Sequence, residues 1–361
     1  MPLRRLITVV GARPQFVKAA MVSRALASAG ISERLIHSGQ HYDPGMSQVF
    51  FEELDVPRPD YYLEVGSGSH AAQTGRIMER LEEILRPLRS DLVVQVYGDT
   101  NTTLAAALVA AKLGHPIVHV EAGLRSFNRS MPEEINRLVT DRLSTLLCCP
   151  TENAVRHLAA EGMTEGVHLT GDVMYDATRH FAGRADERVD LSRLTDHGPG
   201  EYVVATVHRA ENTDHPEVLK RIFAGLARLH VPVVMPLHPR TRARLADHAA
   251  PANVTLCEPL GYLAMLKLMS HARAVFTDSG GLQKEAFWLN VPCVTLRAET
   301  EWTETLEGGW NQLVGSDPDA IATAYSRIAD AGKSLRHAFF AAPKESASRA
   351  VARLVGDLLA A

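Results

Sequence analysis

FTDSGGLQKEAF, residues 276–287, decides the fold. An apolar run ends at the acid, two glycines follow Ser279, and a helical pattern then begins. A buried strand that passes directly into a helix is the repeating unit of α/β proteins with parallel sheets. Gly280 and Gly281 let a ligand approach the backbone N–H groups at this junction. The stretch therefore predicts a parallel sheet, with a turn at its edge that could bind an anion.

The same strand-to-helix pattern recurs along most of the chain. Continuous apolar, β-branched runs are typical of buried parallel strands, and they occur at residues 6–10, 92–97, 117–120, 146–149, 167–170, 202–207, 231–235, 254–256, 274–276 and 293–296. A polar stretch rich in Gly and Asp, residues 183–200, interrupts the pattern and is typical of a linker. We therefore predict two Rossmann-like doubly wound α/β domains, residues 1–182 and 183–345, which face a cleft.

Composition limits the classes of function. A length of 361 residues suits two domains. The net charge of -4 argues against electrostatic binding of nucleic acid or of an anionic membrane. No stretch approaches the roughly 20 apolar residues that span a bilayer, and the first apolar run is too short for a signal peptide. The four cysteines form no CxxC pair and read as buried thiols. We expect a cytoplasmic protein.

Phosphate binding is one interpretation of the SGG turn. Ser279, Gly280 and Gly281 begin a helix, whose free N–H groups and positive dipole end attract an anion. Glu285, about one turn further on, could bind the two hydroxyls of a ribose. A tight turn with a serine cap is the alternative, and the turn alone favours that alternative.

Cationic side chains follow the first strand, in GARPQFVK. Arg13 and Lys18 could hold a diphosphate; the alternative is a pair of solvated surface cations. His208 follows a later strand, and a histidine next to an arginine suits phosphate binding or proton transfer. His238 stands in a similar pattern. Neither histidine has partners at metal-binding spacing, so we predict no required metal and no cofactor.

Acids follow three further elements. Asp99 ends a strand in GDTN, where a turn or capping role is the alternative. Glu121 follows a buried run directly, so burial could raise its pKa toward values useful for acid–base catalysis. Glu133 and Glu134 follow Pro132, and acids in a first helical turn are what the helix dipole favours.

In chain order, these motifs together resemble the non-hydrolysing UDP-N-acetylglucosamine 2-epimerases. The resemblance runs from about residue 5 to the C-terminus and rests on VGARPQFVKA, GQHYD, YGDTNTT, HVEAGLRS, MPEEINR, CPTENA, GDVMYDA, VHRAEN, LHPRTR, TDSGGLQKEA and RAETEW. It implies a fold of the glycosyltransferase-B type, UDP bound mainly by the second domain, and a last helix, residues 346–361, that crosses back to the first domain. It also implies a homodimer and a part in polysaccharide biosynthesis.

The resemblance assigns roles to the candidate residues. It implies that the catalytic residues are Asp99, Glu121, Glu133 and His208, with the three carboxylates as acid–base groups and His208 beside the diphosphate. It implies that the substrate and UDP are bound by Arg13, Lys18, His208, Ser279, Gly280, Gly281 and Glu285.

Three positions depart from the better-known members. Ala210 replaces the second of two arginines after the histidine, Trp302 replaces an arginine in a Thr-Glu-Arg-Pro segment, and residues 42–45 read YDPG. The first and third are associated in the family with a second, allosteric UDP-GlcNAc, so we expect no classical allosteric activation. The set is more similar to the branch that acts on UDP-2,3-diacetamido-2,3-dideoxy-glucuronate.

The expected reaction inverts C2 of a UDP-2-acetamido sugar, UDP-GlcNAc to UDP-ManNAc, by elimination of UDP to a glycal and re-addition. The same chemistry on the diacetamido uronate is the main alternative. A hydrolysing 2-epimerase and a glycosyltransferase of the same fold are the less favoured alternatives. The three acids argue against the glycosyltransferase, because a transferase has little use for three proton-transfer groups.

Overall fold

The computed structural model describes residues 5–40, 53–88, 92–237, 239–245, 250–331 and 345–361. The chain divides into two compact units. Unit 1 comprises the described residues of Met1–Ala177 and Ala342–Ala361, and unit 2 comprises those of Thr178–Ala341.

A sheet of seven parallel strands forms the centre of unit 1, in the order β3-β2-β1-β4-β5-β6-β7. Its strands are β1 Arg5–Val10, β2 Glu33–His37, β3 Tyr61–Tyr62, β4 Leu92–Tyr97, β5 Ile117–Val120, β6 Leu146–Cys149 and β7 Val167–Leu169. Its helices are α1 Arg13–Ser28, α2 His70–Leu85, α3 Asn101–Lys112, α4 Pro132–Leu143, α5 Glu152–Ala160, the first turn of α6 Val173–Arg188, and the C-terminal α13 Ala347–Ala360.

A sheet of six parallel strands forms the centre of unit 2, in the order β10-β9-β8-β11-β12-β13. Its strands are β8 Val203–Thr206, β9 Val233–Pro236, β10 Val254–Cys257, β11 Val275–Thr277, β12 Cys293–Thr295 and β13 Asn311–Leu313. The helices are α7 Ala210–Thr213, α8 Pro216–Ala227, α9 Pro239–Leu245, α10 Tyr262–Ser270, α11 Gly280–Trp288 and α12 Pro318–Ala331.

Hydrophobic burial on both faces holds each sheet. Every residue of β4, LVVQVY, is buried, and so is every residue of β8. Helices α2 and α3 cover one face of the unit 1 sheet, where a core cluster includes Ile77, Leu81 and Val94. At roughly 25 cal/mol per Å² of apolar surface removed from water, such double-sided cores supply most of the folding free energy.

Strand order reverses once in each sheet, and this positions the candidate site residues. In unit 1 the reversal lies between β1 and β4, and in unit 2 between β8 and β11. Ligands of open α/β sheets bind beyond the carboxyl ends of the strands at such a reversal. In unit 1, the loops that begin with Gly11 and Gly98 follow the carboxyl ends of the two strands at the reversal. In unit 2, the loops that begin with Val207 and Asp278 do the same.

The prediction of two doubly wound α/β domains is confirmed, since each unit contains one parallel sheet. Each predicted strand coincides with an observed strand to within a residue or two. The sequence analysis missed β2, β3 and β13, which are short or rich in polar residues. Where it expected a polar break from residue 183, helix α6 continues to Arg188.

The C-terminal helix α13 belongs to unit 1, where it packs against α1. Its first turn is held by Asp176, whose Oδ2 accepts hydrogen bonds from the N–H and the hydroxyl of Ser348, both at 2.7 Å. Burial raises the pKa of Asp176, although these hydrogen bonds oppose the rise. None of the described helices combines the length and the apolar character that a membrane crossing requires.

Two helical glycines provide a test of the packing. A Cβ on Gly225 of α8 would lie 2.7 Å from Cδ1 of Ile321, whereas a Cβ on Gly75 of α2 would meet nothing within 4 Å. We expect Gly225→Ala to destabilise the protein by about 1–3 kcal/mol through overpacking. The matched Gly75→Ala should stabilise it by about 0.5–1 kcal/mol, because alanine favours a helix. Urea unfolding measures both values, and equal effects of the two changes would contradict this packing of α8 against α12.

Candidate active site

Asp99 follows β4 directly and is held by an arginine. Its Oδ2 accepts hydrogen bonds from Nε and Nη2 of Arg137 at 3.0 and 2.7 Å. Its backbone carbonyl accepts a further hydrogen bond from Asn136 at 2.8 Å. Both partners lie on α4, so that helix fixes the orientation of Asp99. The Asp99 side chain stays 28% exposed, which leaves part of the carboxylate accessible to a ligand.

Glu134, next along the same network, joins α4 to the loop that precedes it. Nη1 of Arg137 donates to Glu134 Oε2 at 2.8 Å, and the N–H groups of Ser126 and Phe127 donate to Glu134 at 2.9 and 3.0 Å. Burial alone would raise the pKa of Glu134, but these hydrogen bonds and the Arg137 charge lower it below the usual value. Glu134 is therefore an ionised structural acid.

Glu133 lies in the first turn of α4, after Pro132, and its side chain is half-buried. The structure thus directs the second acid of MPEEINR, Glu134, into the network that holds Asp99. Glu133 itself is nearer the solvent, at the same end of the helix.

Glu121 follows β5 and has an unusual backbone. Its φ angle is +74°, a left-handed conformation that costs a non-glycine residue roughly 1 kcal/mol or more. Its carboxylate forms an ion pair with the ammonium group of Lys18, and both side chains are largely buried. Lys18 reaches this position from α1, next to Gly98, the residue before Asp99. One cation thus lies between the exit loops of β4 and β5.

Gln15 ties the exit loop of β1 to that of β4. Its Oε1 accepts hydrogen bonds from the N–H groups of Gly11 and Ala12 at 2.8 and 3.1 Å. Its Nε2 donates to the carbonyl of Tyr97 at 2.8 Å. Arg13, half-buried, is the first residue of α1 and lies within the same turn.

In unit 2, one buried carboxylate organises the corresponding turn. Asp278, which follows β11, accepts hydrogen bonds from the N–H groups of His208 and Arg209 at 3.0 and 2.9 Å and from Nδ2 of Asn212 at 3.0 Å. Its Oδ1 lies 3.2 Å from Nδ1 of His208. Burial would raise the pKa of Asp278, but these contacts outweigh that effect and lower it. The His208 ring remains about one-third exposed.

The SGG turn begins helix α11. Ser279 is the N-cap, and its hydroxyl accepts a hydrogen bond from the N–H of Leu282 at 3.4 Å. Glu301 Oε1 lies only 2.6 Å from the position that a Cβ on Gly280 would occupy, so a larger residue there would displace the Glu301 carboxylate. Arg297, 3% exposed, donates to Glu301 Oε2 at 3.0 Å. The first turn of α11 is thus bordered by a carboxylate that is paired with a buried guanidinium.

Glu285 is buried further along α11. Burial and the nearby Glu285 carboxylate raise the pKa of Tyr262 well above its usual value. Trp302, the departure from the family pattern, is also buried, and its ring centroid lies 3.6 Å from Nζ of Lys284. A cation–π contact between Lys284 and Trp302 therefore stands where the family resemblance led us to expect an arginine.

Ala210 is exposed at the start of α7. Residues 42–45 and His238 lie outside the described residues. Where the structure describes the chain, no three His, Cys, Asp or Glu side chains are grouped as metal ligands would be.

The residues that hold the candidates were not predicted in that role from the sequence, although Glu134 was named as an acid of a first helical turn. Those with direct contacts to the candidate residues or their loops are Gln15, Glu134, Asn136, Arg137, Asn212, Asp278, Arg297 and Glu301. A signal existed for Glu134 and Arg137, because residues three apart on a helix are neighbours. Asp278 directly precedes the SGG turn, so its position at a strand end was also a signal.

Together, the fold and the strand-end loops define a class: two-domain α/β proteins of the glycosyltransferase-B type. Acinetobacter baumannii MurG shares this fold alone, with a TM-score of 0.52 at 16% identity over 99% of both chains. The UDP-N-acetylglucosamine 2-epimerase family profile matches residues 24–353. The chain belongs to this family.

Close relatives extend along nearly the whole chain. A Methanococcus maripaludis UDP-N-acetylglucosamine 2-epimerase homolog is 46% identical over 93% of this chain and 95% of its own. The UDP-2,3-diacetamido-2,3-dideoxy-D-glucuronate 2-epimerase of Pseudomonas aeruginosa is 45% identical over 88% and 90%. The crystal structure of Methanocaldococcus jannaschii UDP-GlcNAc 2-epimerase with UDP-GlcNAc and UDP has a TM-score of 0.90 at 38% identity, over 99% of this chain and 100% of that one.

The lowered pKa of Asp278 predicts an acid-dependent stability. Its ionised form stabilises the native state fully above the unfolded value of about 4, and this stabilisation is lost as pH falls through the lower folded value. We expect Asp278→Asn to destabilise the protein by about 2 kcal/mol at pH 7, and the melting temperature to become less dependent on pH in the acid range.

Thermal unfolding between pH 7 and pH 2 measures this effect. Asp319→Asn, at a side chain that is 88% exposed, is the control and should leave the pH dependence unchanged. A melting curve of Asp278→Asn that falls with acid as steeply as that of the unaltered protein would contradict the assignment.

Proposed function

We propose that this chain inverts C2 of a UDP-2-acetamido sugar, with UDP-GlcNAc and UDP-ManNAc as the reference pair. The observation that carries the proposal is the presence of two carboxylates, Asp99 and Glu121, at the ends of adjacent strands in a chain of this family. Inversion at carbon needs one group to remove a proton and another to return one to the opposite face. Glu133, at the start of α4, is the third candidate for proton transfer.

The first step is an elimination. A ring C2–H is a very weak acid, so its removal is coupled to departure of UDP from C1. The base takes the C2 proton, the C–H electron pair forms the C1=C2 bond, and the C1–O bond breaks. The products are a glycal and the UDP anion. Asp99 or Glu121 is the base in this proposal, and the Lys18 ammonium forms an ion pair with the Glu121 carboxylate.

The second step reverses the elimination with the other stereochemistry. An acid delivers a proton to C2 from the opposite face, and a phosphate oxygen of UDP attacks C1. Atoms and charge balance, because the proton and the UDP lost in the first step are both regained. Water must stay away from the glycal during this interval, since its addition would release free sugar.

Unit 2 has the chemistry to hold UDP. Its support is the reversal of strand order between β8 and β11, the SGG start of α11, the His208 ring beside Asp278, and the Arg297 guanidinium, which donates to Glu301. Preorganised N–H groups and cations stabilise the charge that develops on a leaving diphosphate. Arg13 is the unit 1 candidate for a contact to the same group, and Glu285 is the candidate for the ribose hydroxyls.

UDP-2,3-diacetamido-2,3-dideoxy-glucuronate is the alternative substrate. The 45% identity to the Pseudomonas aeruginosa enzyme that is named for this sugar supports it. The buried Trp302 supports it as well, because this segment departs from the Thr-Glu-Arg-Pro pattern of UDP-GlcNAc epimerases. The chemistry at C1 and C2 is the same for both substrates.

The proposal includes a cytoplasmic location and a homodimeric assembly. The cysteines, all of them free thiols, suit the reducing conditions of a cytoplasm. A homodimer remains the expectation from the family resemblance, and analytical ultracentrifugation measures it.

Heavy water tests the reaction. In D₂O, we expect deuterium at C2 of both epimers, because the base exchanges its proton with solvent before the proton is returned. NMR of the products from UDP-GlcNAc and, separately, from the diacetamido uronate nucleotide identifies the substrate. Epimerised sugar without deuterium would reject the elimination mechanism. Free UDP with free sugar would indicate a hydrolysing enzyme, and sugar on an added acceptor would indicate a transferase.

Two isosteric changes test the roles of the carboxylates. We expect Asp99→Asn and Glu121→Gln to lower kcat by about 10²–10⁴-fold, the usual contribution of a general acid or base, and to leave UDP affinity within a few-fold. Steady-state kinetics and calorimetry with UDP measure the two effects. Glu79→Gln, on the exposed side of α2, is the matched control. A variant that loses UDP affinity and keeps its rate would contradict the role of that carboxylate.

A further inference from the structure

His119 is a fully buried histidine in β5, two residues before Glu121. Its Nδ1 lies 2.6 Å from Oδ1 of Asp141, and its Nε2 lies 2.8 Å from the carbonyl oxygen of Gly98. Gly98 is the residue before Asp99. The imidazole therefore connects the strand that ends in one candidate acid with the loop that carries the other.

Nε2 of His119 donates to the Gly98 carbonyl, because a carbonyl oxygen can only accept a hydrogen bond. Nδ1 pairs with Oδ1 of Asp141. Burial alone would raise the pKa of Asp141, but its contacts with His119 and Arg125 outweigh that effect and lower it. The imidazole is thus held at both ring nitrogens within the buried interior.

Asp141 holds the exit loop of β5 with its other oxygen. Oδ2 accepts hydrogen bonds from the N–H of Gly123 at 3.1 Å and from Nη1 of Arg125 at 2.6 Å. Arg125 also donates to Glu161, with Nε at 2.7 Å from Oε1. These contacts hold the backbone on both sides of a turn in which Glu121 and Gly123 have positive φ angles.

We propose that His119 is a positioning residue for the epimerisation, which fixes Asp99 relative to Glu121 through the Gly98 carbonyl. This inference rests on the proposed function. Asp141 retains Gly123 and Arg125 as donors without the imidazole, whereas the Gly98 carbonyl has His119 as its hydrogen-bond donor. The link to Gly98 is thus the one that depends on His119.

The separation of the two acids matters because they act on opposite faces of one carbon. A shift of about 1 Å in a reacting group can cost roughly 100-fold in rate. Binding of UDP depends on unit 2 in the proposed function, so a displaced Asp99 would lower kcat and leave the affinity for UDP intact.

A pair of substitutions separates the two hydrogen bonds of His119. In His119→Asn, the side-chain amide nitrogen takes the approximate position of Nδ1, so it keeps Asp141 and loses Gly98. In His119→Gln, the amide nitrogen takes the approximate position of Nε2, so it keeps Gly98 and loses Asp141. Each variant is the control for the other, since both remove the imidazole from the same buried position.

We expect His119→Asn to lower kcat roughly 100-fold, and His119→Gln to stay within about tenfold of the unaltered protein. KM for the UDP-sugar and Kd for UDP should be unchanged in both. In hydrogen-exchange mass spectrometry, the peptide that contains Gly98 and Asp99 should exchange faster in the Asn variant only.

Equal losses of kcat in the two variants, in step with equal losses of melting temperature, would overturn the proposal and leave a purely structural role. An unchanged kcat in His119→Asn would overturn it too. If the unaltered protein does not epimerise either sugar, the proposed function fails. The exchange of the Gly98 peptide then decides the positioning role by itself, and equal exchange in the two variants rejects it.

A measurement on the unaltered protein covers the case in which neither variant folds. The short hydrogen bond from Nδ1 to Asp141 should give a far-downfield proton resonance, coupled to a histidine ring nitrogen in ¹⁵N-labelled protein. The N–H of Nε2 in the same histidine should also be present. A ring without a hydrogen on Nε2 would overturn the hydrogen bond to Gly98 on which the proposal depends.

Discussion

Parallel strands leave backbone groups unsatisfied at the points where they end in loops, and a buried carboxylate satisfies them in each unit. Asp278 accepts hydrogen bonds from the backbone N–H groups of His208 and Arg209 in unit 2. In unit 1, Asp141 accepts from the N–H of Gly123 and from Arg125. Both carboxylates also contact an imidazole. The shape of the two candidate loops depends on these contacts.

The net free energy of burying such a carboxylate is a small difference between two large and opposing contributions. Removing an ionised group from water is costly, and partners must offset that cost almost completely. Asp278 and Asp141 each have several donors, and the pKa of each is lowered despite its burial. The donors thus outweigh desolvation. The same contacts fix the direction of the backbone, so the loops are shaped before any ligand binds, which reduces the free energy that ordering would cost on binding.

The alternation of strands and helices could be predicted, because doubly buried strands have little choice but continuous apolar sequence. Strand β2, with Glu33, Arg34 and His37, does not fit this rule, since it lies nearer the edge of the sheet. The three residues of β13 are too few for a pattern. Strands β2 and β13 belong to the sheets because they pair with neighbouring strands, and no local sequence pattern predicts that pairing.

Candidate residues at strand ends could be predicted for a similar reason, since the carboxyl edge of a parallel sheet is where loops with function occur. Which of two adjacent acids faces inward could not be predicted from the sequence. Glu133 and Glu134 differ by one helical position, and the way in which α4 packs decides that Glu134 joins Arg137. Likewise, the contact between Glu301 and Gly280 spans a sequence separation that no local pattern reveals.

Two sets of contacts at the carboxyl edge of the unit 1 sheet differ in their response to ionic strength. The Gln15 amide bridges Gly11, Ala12 and Tyr97 with neutral hydrogen bonds. An uncharged amide attracts no counterions, so these contacts keep their geometry in high salt. Asp99 and Arg137 are held together by opposite charges, and the carboxylate is partly in contact with water. Salt therefore weakens the contact at Asp99 and leaves the contacts of Gln15 unchanged.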